Sequence, residues 1–306
     1  MNAPARGSLE GAAGVARVAR GTALLAFGLI VLGAVVRSTG SGLACPDWPL
    51  CHGRLLPPLQ TQVLLEWSHR FVALLVSLGT LAIAGLVIAR APLRRALLGP
   101  VLAALALLLL QVVLGALTVW KLLQFGIVTF HLGNALLFLV ALMAIAERAE
   151  ARAGDVGVGP GAALGPRLGL LTATLVTLLQ VLMGGLVSTQ HAGLACPDFP
   201  GCHGELFPTI GGLVGLQMIH RYGAYLLALL LVGVAFGSQR AQDPRVRAAA
   251  ALAPALVLVQ ILLGVFNVLL AVPVWITAAH LATGALLFAL LALATMRAFS
   301  PGGERP

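Results

Sequence analysis

Four histidines sit within apolar stretches of the sequence, at positions 69, 131, 220 and 280. Ionisable side chains in hydrocarbon are uncommon, and they usually face a bundle interior where a partner or cofactor makes burial tolerable. Singly, each reads equally well as a hydrogen-bonded structural histidine. Their spacing argues otherwise. His69-Arg70 recurs as His220-Arg221 at an offset of 151, and His131 follows Gln111 by twenty residues, as His280 follows Gln260. Two imidazoles on facing helices of a four-helix bundle are the usual axial ligands of a b-type haem, one on each face of the iron. A metal without porphyrin would need a third or fourth ligand from Cys, Asp or Glu. Glu66 offers one to the first pair, but Gln217 stands in its place beside the second. Two haem sites therefore fit better than two zinc or iron centres. Gly115, Gly133, Gly264 and Gly284 would leave room for a flat macrocycle, and would serve close helix packing equally well.

Glu66 precedes His69 by three residues, which on a helix places it on the same face one turn outward, beside the same pocket. A carboxylate there suits proton transfer or the support of developing positive charge; its bland reading is an interfacial Glu at a helix start. Gln217 can hydrogen-bond but cannot titrate. If one half does chemistry and the other only holds a cofactor, the first half is the reactive one.

The loop "GLACPDWPLCHG" at 42–53 returns as "GLACPDFPGCHG" at 193–204, and residues 42–57 agree with 193–208 at twelve of sixteen positions. Five residues with two prolines separate Cys45 from Cys51 and Cys196 from Cys202. Such a loop folds back and brings its sulfurs within bridging distance, so local disulfides Cys45–Cys51 and Cys196–Cys202 are expected on an oxidising side. Each is either a structural staple or a short exposed bridge that exchanges electrons with an outside thiol. His52, His191 and His203 fall in loops and receive no catalytic role.

The elements that must position these residues follow from composition. Of 306 residues, 59% are hydrophobic and 9% charged, too few charges to cover a water-soluble globule. Eight apolar runs lie at roughly 21–37, 66–88, 96–118, 127–146, 168–187, 214–236, 248–270 and 276–296. Each is long enough to cross about 30 Å of hydrocarbon and lacks the alternation of a membrane strand. The first is not a signal peptide, since the "LAC" after it recurs after the fifth. The net charge of +9 does not point to nucleic acid, because no basic patch has interleaved aromatics. Instead, fourteen of nineteen basic residues fall on the termini and every second loop, which places both termini in the cytoplasm and the Cys loops outside. Four helices per repeat give both copies the same orientation. The expected fold is all-α integral membrane, with eight transmembrane helices as two pseudo-symmetric four-helix bundles. Its parts are an N-terminal bundle at 1–147, a Gly- and Pro-rich cytoplasmic linker at 148–166 and a C-terminal bundle at 167–306.

Paired histidines in the second and fourth helices of each half, "EWSHR" at 66–70 and "GLACPDWPLC" after the first helix resemble the haem A synthase family over essentially the whole chain. The resemblance implies oxidation of the C8 methyl of haem O to a formyl group through a hydroxymethyl intermediate, making haem A for cytochrome oxidase biogenesis. It implies that His69 and His131 hold the haem O substrate, while His220 and His280 ligate a resident haem b that relays electrons. Glu66 matches the family's required carboxylate, and Cys45 and Cys51 its loop cysteines, which pass through a transient redox or covalent state; the Cys196–Cys202 pair is the weaker candidate. A haem O-producing farnesyltransferase, a redox partner and membrane lipid are the implied partners, in a multi-pass cell-membrane protein, with oligomerisation left open. The rival readings are a bis-His cytochrome b that only transfers electrons, a quinone-linked disulfide generator, and a haem carrier.

Overall fold

The computed structural model describes residues 6–154 and 162–300. Eight helices follow in order: α1 (Arg6–Ser38), α2 (Thr61–Ile88), α3 (Ala91–Trp120), α4 (Phe125–Ala153), α5 (Leu164–Thr189), α6 (Gly212–Gly237), α7 (Pro244–Leu269) and α8 (Val274–Phe299), with one 3-10 turn at Ala192–Leu194. All eight are long and apolar enough to cross a membrane, and the chain is a multi-pass membrane protein. Among the described residues there is no strand, only single bridges between Cys51 and Arg54 and between Cys202 and Glu205.

The helices extend beyond the apolar runs because their polar ends stay helical. α1 begins fifteen residues before its run and carries Arg17 and Arg20 on that added stretch. Of the expected linker at 148–166, residues 148–153 complete α4 and 164–166 open α5, while 155–161 lie outside the described residues. Local chemistry sets several boundaries. Asp243 caps α7 by accepting from the Arg245 amide at 2.8 Å, with Pro244 in the first turn. The Gln124 side chain accepts from Ile127 N at 3.0 Å to start α4, and Gly154 ends it in the left-handed conformation at φ 78°.

Packing is ring-like in each half. α1 lies against α2 and α4, and α3 against the same two; α5 lies against α6 and α8, and α7 against the same two. The halves meet through α1 with α8, α4 with α5, and α4 with α8. Small residues make the close approaches: Ala12, Ala16, Ala19, Ala23 and Ala26 form one buried stripe on α1, and Ala278, Ala285, Ala289 and Ala292 are buried on α8. Leu24, Leu109, Phe130 and Leu229 point outward, as lipid-facing side chains do. Arg297 on α8 holds Glu147 on α4 through two hydrogen bonds at 2.7 and 2.9 Å, a tie between the halves far from the Cys loops. At the opposite end Arg37 of α1 donates to the Ser188 carbonyl of α5.

Candidate functional site

The two Cys loops cap the same end of the bundle and share one internal design. Asp47 accepts from the His52 amide at 2.6 Å and the Gly53 amide at 2.7 Å; Asp198 accepts from His203 and Gly204, both at 2.8 Å. These amides favour the charged carboxylates, so the Gly53 and His52 bonds hold Asp47 below the usual aspartate range, and the Gly204 and His203 bonds do the same for Asp198. The φ of +54° at His52 and +53° at His203 lets each imidazole turn back, where Nε2 meets the Ala44 carbonyl at 3.0 Å and the Ala195 carbonyl at 3.1 Å. These loop histidines brace the turn.

Both cysteine pairs are disulfide-bonded, as the spacing predicts. Of the two readings, the structural staple fits and the exposed bridge does not: all four cysteines are buried, the first pair under Val63 and Trp67 and the second under Val214, Met218 and Tyr222. Helix residues four apart on α2 and α6 close over the loops, so a thiol from outside reaches neither bridge without the loop opening.

An arginine from each of those helices fixes its loop. Arg70 donates to the carbonyls of Asp47 at 2.6 Å and Cys45 at 3.0 Å, and to that of Leu50. Arg221 donates to those of Asp198 at 2.8 Å, Cys196 at 2.7 Å and Pro200 at 3.4 Å, and to that of Gly201. A planar guanidinium suits this because its several N–H groups fan out over adjacent acceptors. A Cβ at Gly201 would lie 2.2 Å from the Glu205 carbonyl oxygen, so a side chain there would displace this backbone, although the first loop carries Leu50 at the matching place. The sequence reading used Arg70 and Arg221 only as markers of the repeat; their recurrence beside a histidine was the signal that both do a job.

Beside these anchors the halves diverge. Glu66 is buried, with Oε1 accepting from Arg70 at 2.5 Å and Oε2 from the Cys45 amide at 2.7 Å. The carboxylate thus faces the loop. Gln217 is equally buried, yet among the described residues it makes one long contact, Nε2 to the Gly193 carbonyl at 3.4 Å, and its Oε1 has no hydrogen-bond partner. Trp48 of the first loop meets Trp120 at the end of α3 edge to face at 6.0 Å. Phe199 and Leu269 stand at the matching positions of the second half.

The histidines come from the second and fourth helices of each half, which stand across the ring from one another. The His220 and His280 rings lie 6.4 Å apart between centroids, inclined at 74°. Iron–nitrogen bonds of about 2 Å on each side, with the ring radii, span about that distance. Each of the four rings rests against a glycine of a neighbouring helix. A Cβ on Gly33 would lie 3.2 Å from His69 Nε2, on Gly115 3.4 Å from His131 Cε1, on Gly184 3.0 Å from His220 Cε1, and on Gly264 3.2 Å from His280 Cε1. The expected roles of Gly115 and Gly264 fit this, whereas Gly133 faces Leu182, and Gly284 faces Gln260 and Val181, which is helix packing. Gly33 and Gly184 were missed, although both fall on the 151-residue offset.

Polar support of the rings is uneven. Gln111 Nε2 lies 3.2 Å from His131 Nε2, with its amide oriented by Asn134, whose Nδ2 donates to Gln111 Oε1 at 2.7 Å and to the Leu107 carbonyl at 2.9 Å. The Nδ1 atoms of His131 and His280 are buried without a hydrogen-bond partner among the described residues. Unpartnered imidazole nitrogens are costly unless something binds there. Among the described residues no three of His, Cys, Asp and Glu gather to hold a bare metal ion. Paired imidazoles such as His220 and His280 could hold an iron whose remaining positions a porphyrin fills.

Residues 16–292 match the family model COX15-CtaA, described as a cytochrome oxidase assembly protein. A protein of Symbiobacterium thermophilum named Heme A synthase is 32% identical over 77% of this chain and 79% of its own length. One of that name from Bacillus pumilus is 34% identical over 65% of this chain and 67% of its own. A third, from Shewanella oneidensis, is 28% identical over 89% of this chain and 92% of its own.

Proposed function

The chain belongs to the COX15-CtaA family, that of the haem A synthases, and on that premise we propose that it oxidises the C8 methyl of haem O to a formyl group through a hydroxymethyl intermediate. The single observation that carries the division of labour is Glu66 against Gln217: a paired, buried carboxylate beside one histidine pair and an under-bonded amide beside the other. In this reading residues 1–147 form the substrate bundle, residues 167–306 the cofactor bundle, and a pseudo-twofold axis along the membrane normal relates the two.

His69 and His131 hold the iron of haem O between α2 and α4, and Gly33 and Gly115 keep the flanks of both rings clear. Converting a methyl to a formyl group takes two successive two-electron oxidations and leaves the carbon electron-poor on the way. Glu66 supports that charge or accepts the proton released. Arg70 and the Cys45 amide hold its two oxygens in place, so its position is set before substrate arrives. Cys45 and Cys51 join the chemistry through this connection, and a redox or covalent state of their sulfurs requires the loop to open.

His220 and His280 are the residues that would hold haem b, and their spacing, their flanking glycines and the unpartnered His280 Nδ1 fit that group. Haem b there would supply a one-electron carrier. The Cys loops lie on the outer face of the cell membrane, both termini lie in the cytoplasm, and the upstream farnesyltransferase and a redox protein are the partners in this reading. A cytochrome b that only transfers electrons gives no reason for Glu66 to be kept on one side, and a disulfide generator is poorly served by buried sulfurs.

The test is to co-express the chain with a haem O-producing enzyme and identify the extracted haems by mass. Haem A and the hydroxymethyl intermediate are expected. Recovery of unmodified haems alone, with a competent electron acceptor present, rules the proposal out.

A further inference from the structure

We propose that Gln180 is the positioning residue of His220, and that it makes the second histidine pair the site that retains haem while the first exchanges it. The inference rests on the reading of both pairs as haem ligands.

Gln180 lies in the middle of α5, facing α6. Its Nε2 donates to the His220 backbone carbonyl at 2.7 Å and lies 3.1 Å from His220 Nδ1. One amide thus grips both the main chain and the ring of the same residue. It fits only because position 223, one turn along α6, is glycine: a Cβ there would lie 2.3 Å from Gln180 Oε1 and 3.3 Å from Cδ. At the 151-residue offset the first half has Leu29 in place of Gln180 and Val72 in place of Gly223. The two positions differ together. Leu29 has no polar atom to offer His69, and Val72 would deny an amide the space.

Which nitrogen is contacted matters. Gln180 meets His220 at Nδ1, which leaves Nε2 free for iron. The bond to the His220 carbonyl fixes which way the amide faces, so the ring is held from its Nδ1 side. In the first half the glutamine contact is at His131 Nε2, and Asn134 fixes the Gln111 amide so that its N–H groups point there. The second pair is therefore braced at His220, whereas the first pair has only Leu29 at the matching place beside His69, as suits a substrate that comes and goes.

The test uses the full-length protein in detergent with H69A/H131A, leaving only the second pair, and follows haem transfer to excess apomyoglobin together with the low-spin electron paramagnetic resonance signal. Q180L is expected to release haem about 10- to 100-fold faster and to shift the g-values, the usual effect of losing an outer partner of a ligating histidine. G223A, which keeps the glutamine but displaces its amide, is expected to act in the same direction and serves if Q180L does not fold. In the reciprocal background H220A/H280A, L29Q/V72G is expected to slow release from the first pair. Unchanged release and g-values in Q180L and G223A overturn the inference. A parent H69A/H131A protein that binds no haem overturns the underlying reading itself, a failure visible before any variant is made.

Discussion

Replacing Arg70 and Arg221 by methionine should have unequal consequences although the two arginines hold equivalent loops. Each substitution strips the guanidinium from loop carbonyls, at Asp47, Cys45 and Leu50 in one case and at Asp198, Cys196, Pro200 and Gly201 in the other. R70M does something more. It leaves Glu66, whose side chain is 6% exposed, as a buried carboxylate without its cation, whereas R221M leaves only the neutral Gln217. Stranding one partner of a buried ion pair costs about 3–5 kcal/mol, and we take the lower end because the Cys45 amide still bonds Glu66. At about 1.4 kcal/mol per tenfold, the first loop of R70M should open about a hundredfold more often than the second loop of R221M. Because the sulfurs are buried, reduction by a membrane-impermeant phosphine reports that opening, read by alkylation and peptide mass. The double variant E66Q/R70M should bring the first loop back to the R221M rate. Equal acceleration of the two loops by R70M and R221M, or no recovery in the double variant, would refute the assignment of Glu66 and Arg70 as a coupled pair.

Three further outcomes follow from the same geometry. G33A and G184A should lower the haem content of the first and second sites respectively, measured as pyridine haemochrome per protein, because the added methyl lies 3.2 Å or closer to an imidazole atom. C196S/C202S should leave haem A formation intact while lowering stability by about 2 kcal/mol, the loop-closure value for so short a ring, and C45S/C51S should stop oxidation; haem extraction and denaturant unfolding separate the two. For pH, Asp47 and Asp198 have depressed values in the folded loops, so their contribution is present above the ordinary aspartate range near ~3.9 and is lost as pH falls through the depressed value. Proteolysis of the loops should rise only at that acid end, and D47N should remove the dependence from the first loop while sparing the second.

Much of this was legible in the sequence because membrane burial makes polar residues conspicuous. The four histidines, Glu66 and the doubled Cys loop stand out against leucine and alanine, and the fixed offset pairs each with its counterpart. Helix ends were less legible, since hydropathy marks the hydrocarbon and a helix does not stop where it does; α1 runs fifteen residues past that limit. Small residues and amides hid best. Gly33 and Gly184 look like ordinary membrane glycines until a ring is found against each, and Gln180 has no repeat partner to call attention to it. Arg70 was visible but its work was not, because the acceptors it serves are backbone carbonyls, which no side-chain pattern records.

The central claim is that the first half performs the oxidation and that Glu66 is needed for it beyond its part in holding the loop. E66Q tests this most directly. Arg70 keeps its three loop carbonyls in that variant, so the bridge and the bound haem should persist, and the mass spectrum of extracted haems should show haem O with neither the hydroxymethyl intermediate nor haem A. Haem A formed by E66Q at the normal rate would contradict the account.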